Sequence, residues 1–305
     1  MSTKNRFFAV SMIVFMILLT SCLSLSAGNG LPVLSGKVIE GNVFKSDLVA
    51  EDVNYSIYLP PDYDHSSRDY PVLYLLHGYT DDETAWVQFG EVNVSADQLI
   101  SSGEIPALII VMPDARFTYY MDDIAGKDKY ATMFEKEFVP YIDRTYRTRP
   151  EKEFRAVSGL SMGGFGSLIY ALRNPDMFAS CVAFSAAVRN DEQVTEMDQE
   201  GWDRRYGKLF GEGLAGEGRL TDHWKSFSVM YQAENLPVET LKKVRWYIDC
   251  GDDDALGIGN ASLHHLWMNR EIPHEYRVRD GAHRWIYWRT GIRDGLRFIG
   301  EGFHR

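Results

Sequence analysis

The sequence predicts an α/β fold, a mainly parallel central sheet flanked by helices. Three observations predict it. Strand-like and helix-like segments alternate from Gly36 to the C-terminal region. The runs 72–76 and 107–111 are apolar at every position, as in strands buried on both faces. Of 305 residues, 45% are hydrophobic and 25% are charged, enough to bury a full core without cross-links. The net charge of −11 argues against nucleic acid as a partner, because phosphate binding needs a basic face.

The first residues are of another kind. Lys4 and Arg6 precede an apolar run, Phe7 to Leu19. A membrane span needs about twenty such residues, so the shorter run reads as a secretory signal. Leu19-Thr20-Ser21-Cys22 then resembles a bacterial lipobox. The resemblance implies that residues 1–21 are a lipoprotein signal, that Cys22 carries the lipid, and that the protein is exported and membrane-anchored, periplasmic or at the cell surface. Residues 22–35 are Ser- and Gly-rich and read as a tether.

The domain spans 36–305. Strands are expected at 36–44, 53–59, 72–76, 107–111, 154–157, 181–184, 244–250 and 274–278. Pro60-Pro61 stops the second. Tyr130, Phe134, Phe138 and Tyr141 recur at helical spacing, which predicts a helix over 128–143. Further helices are expected at 163–173, 260–270 and 287–300. Residues 188–240 break the alternation. They are polar, Gly-rich and weakly periodic, and an insertion after a strand's carboxyl end sits over the site in such folds. We read them as a cap. Cys181 and Cys250 fall toward opposite ends of neighbouring strands, too far apart to bridge.

Gly159-Leu160-Ser161-Met162-Gly163 matches G-x-S-x-G, between a strand and a helix. That context makes Ser161 a candidate nucleophile on a sharp turn, with the Met162 N–H aimed at the reacting oxygen. Serine needs a base near neutral pH. In folds using this turn the base follows the acid in the chain. His283 meets that order, on a loop just after the last strand. The acid should follow the strand 244–250. Asp249 lies within that strand, and spacing leaves Asp252, Asp253 and Asp254 open. A calcium loop starting at Asp252 fails, because Leu256 and Leu263 fill two ligand positions. His77-Gly78-Tyr79 follows the buried run 72–76 and offers the Tyr79 N–H as the second oxyanion donor, with His77 holding the loop. No metal or cofactor is called for.

Together these segments resemble the esterase family of α/β-hydrolases, which includes feruloyl, acetylxylan and tributyrin esterases. The likeness runs over most of 36–300. It is carried by YLPPDYD at 58–64, YPVLYLLHGYTDDETAW at 70–86, VMPDARFTYY at 111–120, YIDRTY at 141–146, GLSMGG at 159–164, CGDDD at 250–254 and GAHRW at 281–285. The family's Cys-Gly-x-x-Asp pattern implies Asp254 as the acid. It also supports His283 and the Tyr79 N–H. Asp252 stands where the family usually has Thr.

The resemblance implies an exported serine carboxylesterase acting through a Ser-His-Asp triad on acyl or feruloyl esters, on plant cell-wall polysaccharide. S-formylglutathione hydrolases of the same family lack an export signal and fit less well. A short-chain carboxylesterase, a siderophore esterase and a non-catalytic carbohydrate-binding lipoprotein are the alternatives; the filled triad positions argue against the last. Trp86, Tyr119, Tyr120 and Trp285 are candidate substrate contacts, with Tyr79 and the insertion's Trp202 and Trp224. Such rings suit sugars or a hydroxycinnamoyl group, and they suit core packing equally.

Overall fold

A computed structural model describes residues 35–303. The expected signal segment, Cys22 and all of the tether but Ser35 lie outside the described residues. Eight strands form one sheet in the order β1-β2-β4-β3-β5-β6-β7-β8. They are β1 (Lys37–Phe44), β2 (Val53–Leu59), β3 (Val72–Leu76), β4 (Ile109–Pro113), β5 (Arg155–Leu160), β6 (Ser180–Phe184), β7 (Arg245–Gly251) and β8 (His274–Arg279). β1 and β2 pair antiparallel, as do β2 and β4; every other pair is parallel. The sheet is therefore the mainly parallel one that the apolar runs predict.

β3 explains why those runs are apolar throughout. Val72, Tyr74 and Leu76 enter one core, while Leu73 and Leu75 enter the other. Successive side chains point to opposite faces, and both faces are covered. The helix Met162–Arg173 and the helical run 130–145 contribute Leu168, Tyr170, Phe134 and Phe138 to the first core. Phe134 stacks on Tyr170 with ring centroids 4.4 Å apart. The helices Val92–Ser101 and Trp285–Phe303 contribute Ala96, Leu99, Ile292 and Leu296 to the second.

Three differences from the sequence reading are informative. The predicted helix over 128–143 begins at Tyr130, contains a π turn over Phe134–Phe138 and runs to Thr145. The helix Val92–Ser101 was not anticipated, although Val92, Ala96 and Leu99 mark its buried stripe. The segment 188–240, weakly periodic in sequence, is a set of short helices around a packed aromatic cluster. Trp202, Tyr206, Phe210 and Trp224 lie with ring centroids 4.7–6.2 Å apart. Cys181 and Cys250 are free and buried. Cys181 pairs with Trp246, four residues before Cys250, so about 13 Å of strand separates them. Among the described residues, no helix is long and apolar enough to cross a membrane.

Candidate active site

Ser161 sits between β5 and the helix Met162–Arg173, with φ 54° and ψ −114°. A side chain in this region of backbone space is strained and persists only where its surroundings hold it. Here the Ser161 N–H donates to the Phe184 carbonyl at 2.9 Å, and its own carbonyl accepts from Phe165 and Ala187. The glycines have a steric reason. A Cβ on Gly163 would lie 2.6 Å from the His77 oxygen and against the Leu76 carbonyl, and one on Gly159 would lie 2.5 Å from Gly163. Only hydrogens fit where this helix enters the sheet.

The loop after β7 and the loop after β8 meet Ser161 from the other side. His283 Nε2 lies 2.9 Å from Ser161 Oγ, and His283 Nδ1 lies 2.8 Å from Asp254 Oδ2. Asp254 Oδ1 accepts the Leu256 N–H at 2.8 Å. Burial opposes ionisation of Asp254. The hydrogen bonds from His283 and Leu256, with the neighbouring His283 charge and Ser185, outweigh it and hold the carboxyl below its ordinary value. A carboxylate there can only accept, so it fixes the proton on Nδ1 and leaves Nε2 to accept from Ser161. The Trp288 ring stands edge-on to His283 at 4.8 Å and donates its N–H to Ser185 at 2.9 Å.

Asp249 and Asp252 are engaged elsewhere. Asp249 is fully buried and paired with Arg279 at 3.1 Å, and both Tyr247 and Tyr287 donate to it. Asp252 accepts the Gly281 N–H at 3.0 Å and so ties down the loop that carries His283. Among the described residues, the acids close enough to share a cation are Asp252, Asp253 and Asp280, all exposed.

The oxyanion candidates fall beside the serine. Met162 is the first residue of its helix, so its N–H has no acceptor within the helix. Gly78 brings the β3 loop against Ser161: a Cβ on it would lie 3.8 Å from the Ser161 Cβ. Tyr79, next in the chain, lines the same cavity. His77 braces the loop. It accepts the Ala115 N–H at 2.8 Å through Nε2, which leaves Nδ1 to donate to the Gly78 carbonyl at 2.7 Å. Asp81 closes this loop, its N–H donating to the Gly78 carbonyl at 3.2 Å, and burial pushes its carboxyl above the ordinary value.

Ser161 and His283 open into a cavity of about 650 Å³. Tyr119 and Trp285 line it, as the aromatic pattern suggested. Trp86 and Tyr120 do not. Trp86 is 1% exposed, donates to the Leu76 carbonyl at 2.9 Å and supports Trp285 from behind at 5.3 Å. Tyr120 is fully buried, donates to the His77 carbonyl at 3.2 Å and packs against Gly166. Both shape the site without reaching substrate. Trp202 and Trp224 likewise belong to the insertion's own cluster. Sequence reasoning missed Arg189 and Arg205, which project from the insertion into the cavity. No spacing marks them; they are two arginines in a polar segment.

Comparison with known proteins identifies the family. A family profile described as "Putative esterase" matches residues 46–299. An esterase of Mycobacterium tuberculosis (strain ATCC 25618 / H37Rv) is 27% identical over 258 residues, 79% of this chain and 54% of that protein. An endo-1,4-beta-xylanase/feruloyl esterase of Xylanibacter ruminicola is 30% identical over 165 residues, 52% of this chain and 23% of that protein. The chain thus spans about half the length of the first curated relatives it matches, at 54%. A solved ferulic acid esterase superposes with a TM-score of 0.76 at 31% identity, covering 88% of this chain and 99% of its own. An S-formylglutathione hydrolase of Staphylococcus aureus shares the fold, with a TM-score of 0.69 at 20% identity over 86% of this chain and 99% of its own.

Proposed function

From the premise that this chain belongs to the esterase family of α/β-hydrolases, we propose that it is a serine carboxylesterase that cleaves acyl or feruloyl esters on plant cell-wall polysaccharide. One observation carries the mechanism: the unbroken relay from Asp254 through His283 to Ser161, at 2.8 and 2.9 Å. Ser161 Oγ attacks the ester carbonyl and its proton passes to His283 Nε2. Asp254 stabilises the resulting imidazolium. The Tyr79 and Met162 N–H groups receive the developing oxyanion, each worth on the order of 3 kcal/mol. His283 then protonates the leaving alkoxide, and an acyl-Ser161 ester remains. Water, deprotonated by His283, hydrolyses it. None of these steps calls on a metal or cofactor.

The substrate class is supported by two likenesses, the solved ferulic acid esterase and the xylanase/feruloyl esterase. The rings of Tyr79, Tyr119 and Trp285 in the cavity suit sugar or hydroxycinnamoyl faces. Export and membrane anchoring rest on the sequence of residues 1–22. Cys22→Ser would then move the protein out of the membrane fraction.

The test compares wild type with Ser161→Ala on acetylated xylan, feruloylated arabinoxylan and nitrophenyl acetate. Release of acetate or ferulate by wild type alone supports the reading. Cleavage of the nitrophenyl ester only would keep the triad and remove the polysaccharide. No turnover on a broad ester panel would leave a carbohydrate-binding protein on a hydrolase fold.

A further inference from the structure

Five charged side chains line the catalytic cavity: Asp81, Asp254, Arg189, Arg205 and Arg284. Asp254 holds His283, and Asp81 closes the oxyanion loop, its N–H donating to the Gly78 carbonyl at 3.2 Å. Arg284 is exposed. Arg189 and Arg205 are half-buried, and both come from the insertion. Arg189 Nε donates to the Tyr206 hydroxyl at 3.3 Å, a neutral partner that orients the guanidinium without cancelling its charge. Arg205 lines the same cavity as Tyr119. Among the described residues neither arginine has an ion-pair partner. Their neighbours do: Arg204 pairs with Glu200 at 3.4 Å and Lys208 with Asp128 at 3.7 Å. Asp81 shares this cavity, and Glu51, Asp123 and Asp128 line the adjoining one, but none lies within ion-pair distance of either arginine; a partly desolvated guanidinium so placed has a planar fork of donors that fits a carboxylate brought by a ligand.

A second observation says which half of the ester brings it. Arg205 also lines an adjoining cavity of about 310 Å³, and the two cavities share Tyr79. At this junction the Phe117 ring is 60% exposed and lies 4.8 Å from the Tyr79 ring. An exposed ring pair along a groove is a surface that sugar rings cover. For an acetyl ester, whose acyl group fills only the space beside Ser161, what continues past Tyr79 and Arg205 is the alcohol half.

We infer that Arg189 and Arg205 read a carboxylate on the alcohol half of the ester, so that the preferred substrate is an acylated oligosaccharide carrying uronate groups. This rests on the esterase reading above.

The test uses the full chain and acetylated xylo-oligosaccharides of equal length, with and without a glucuronate branch. The expected result is a kcat/KM at least about tenfold higher for the branched substrate, the scale of one charge-assisted hydrogen bond. Arg205→Gln should bring the ratio near one, and Arg205→Lys should keep part of it. Equal kcat/KM for both substrates in wild type, or an undiminished ratio in Arg205→Gln, would overturn the inference. So would a preference for nitrophenyl hemisuccinate over nitrophenyl butyrate, which would place the charge on the acyl half. Nitrophenyl acetate separates the two levels. If wild type fails on it, the esterase reading falls; if wild type cleaves it without preferring the acidic oligosaccharide, only this inference falls.

Discussion

Asp254→Asn changes one atom and reverses a hydrogen-bond direction. Asp254 accepts from two sides, the Leu256 N–H at 2.8 Å and His283 Nδ1 at 2.8 Å. The backbone N–H can only donate, so it claims the amide oxygen and turns the amide NH2 toward His283. Nδ1 must then accept, Nε2 must carry the proton, and the base can no longer take one from Ser161. The flipped amide restores the productive tautomer but sets two donors against each other at Leu256. A buried donor left without an acceptor costs about 1–3 kcal/mol, a bias of about 5- to 150-fold against the productive form. Loss of the carboxylate charge that stabilises the imidazolium adds to this. The same substitution in another Ser-His-Asp enzyme costs about 10⁴-fold, so we expect a loss of 10³ to 10⁴, about 4–5.5 kcal/mol. Single-turnover and steady-state kinetics on nitrophenyl acetate would measure it, with Asp253→Asn, an exposed acid outside the relay, as the comparison. A loss below about tenfold in Asp254→Asn, or an equal loss in Asp253→Asn, would refute the reasoning.

Three other expectations follow from burial and close packing. Gly163→Ala must push its helix off the sheet, because the Cβ meets backbone at Leu76 and His77. Overpacking of this kind costs about 1–3 kcal/mol, and a displacement near 1 Å at Ser161 costs about 10²-fold in kcat; Gly218→Ala, with nothing within 4 Å of its Cβ, should do neither in a thermal melt and a kinetic assay. Tyr58, Tyr74, Tyr120, Tyr130 and Tyr170 are fully buried, and burial raises all five phenols above their ordinary value. The folded state keeps protons that the unfolded state loses near pH 10, so stability is full below that and falls as pH rises, by about 7 kcal/mol per pH unit for five groups. Phenolate absorbance should therefore appear in one cooperative step with loss of circular dichroism, about one to two pH units above 10, since total stability is about 5–15 kcal/mol; gradual titration at pH 10 with the fold intact would contradict this. Burial also pushes the Cys250 thiol up to about 12 and Cys181 well above its ordinary value. In a Cys22→Ser chain no thiol should react with a disulfide reagent near neutral pH until denaturant is added.

The central strands were legible because burial on both faces leaves no polar positions, as in Val72–Leu76. Ser161 and His283 were legible because chemistry dictates their order and turn. The acid was not legible from spacing. Three consecutive aspartates look alike in sequence, and only Asp254 reaches both His283 and the Leu256 N–H. The family pattern had named it, and the geometry gives that choice a physical reason. The helix Val92–Ser101 escaped notice because two of its five buried residues, Ser95 and Asp97, are polar and blur the apolar stripe, and Asn93 and Val94 are weak helix formers. Trp86 and Tyr120 looked like substrate contacts because aromatic type does not reveal which way a ring points. The insertion hid its order because its periodicity is broken into helices of three to seven residues. Its clustered aromatics, rather than any period, were the available sign of a packed unit.

The measurement that tests the triad most directly is the site of acylation. Wild type mixed with nitrophenyl acetate is quenched in acid during the initial burst, digested, and its peptides weighed. The account predicts an acetyl group on the peptide that carries Ser161, formed at the burst rate and missing from Ser161→Ala. Acylation at another residue, or a burst that survives Ser161→Ala, would contradict it.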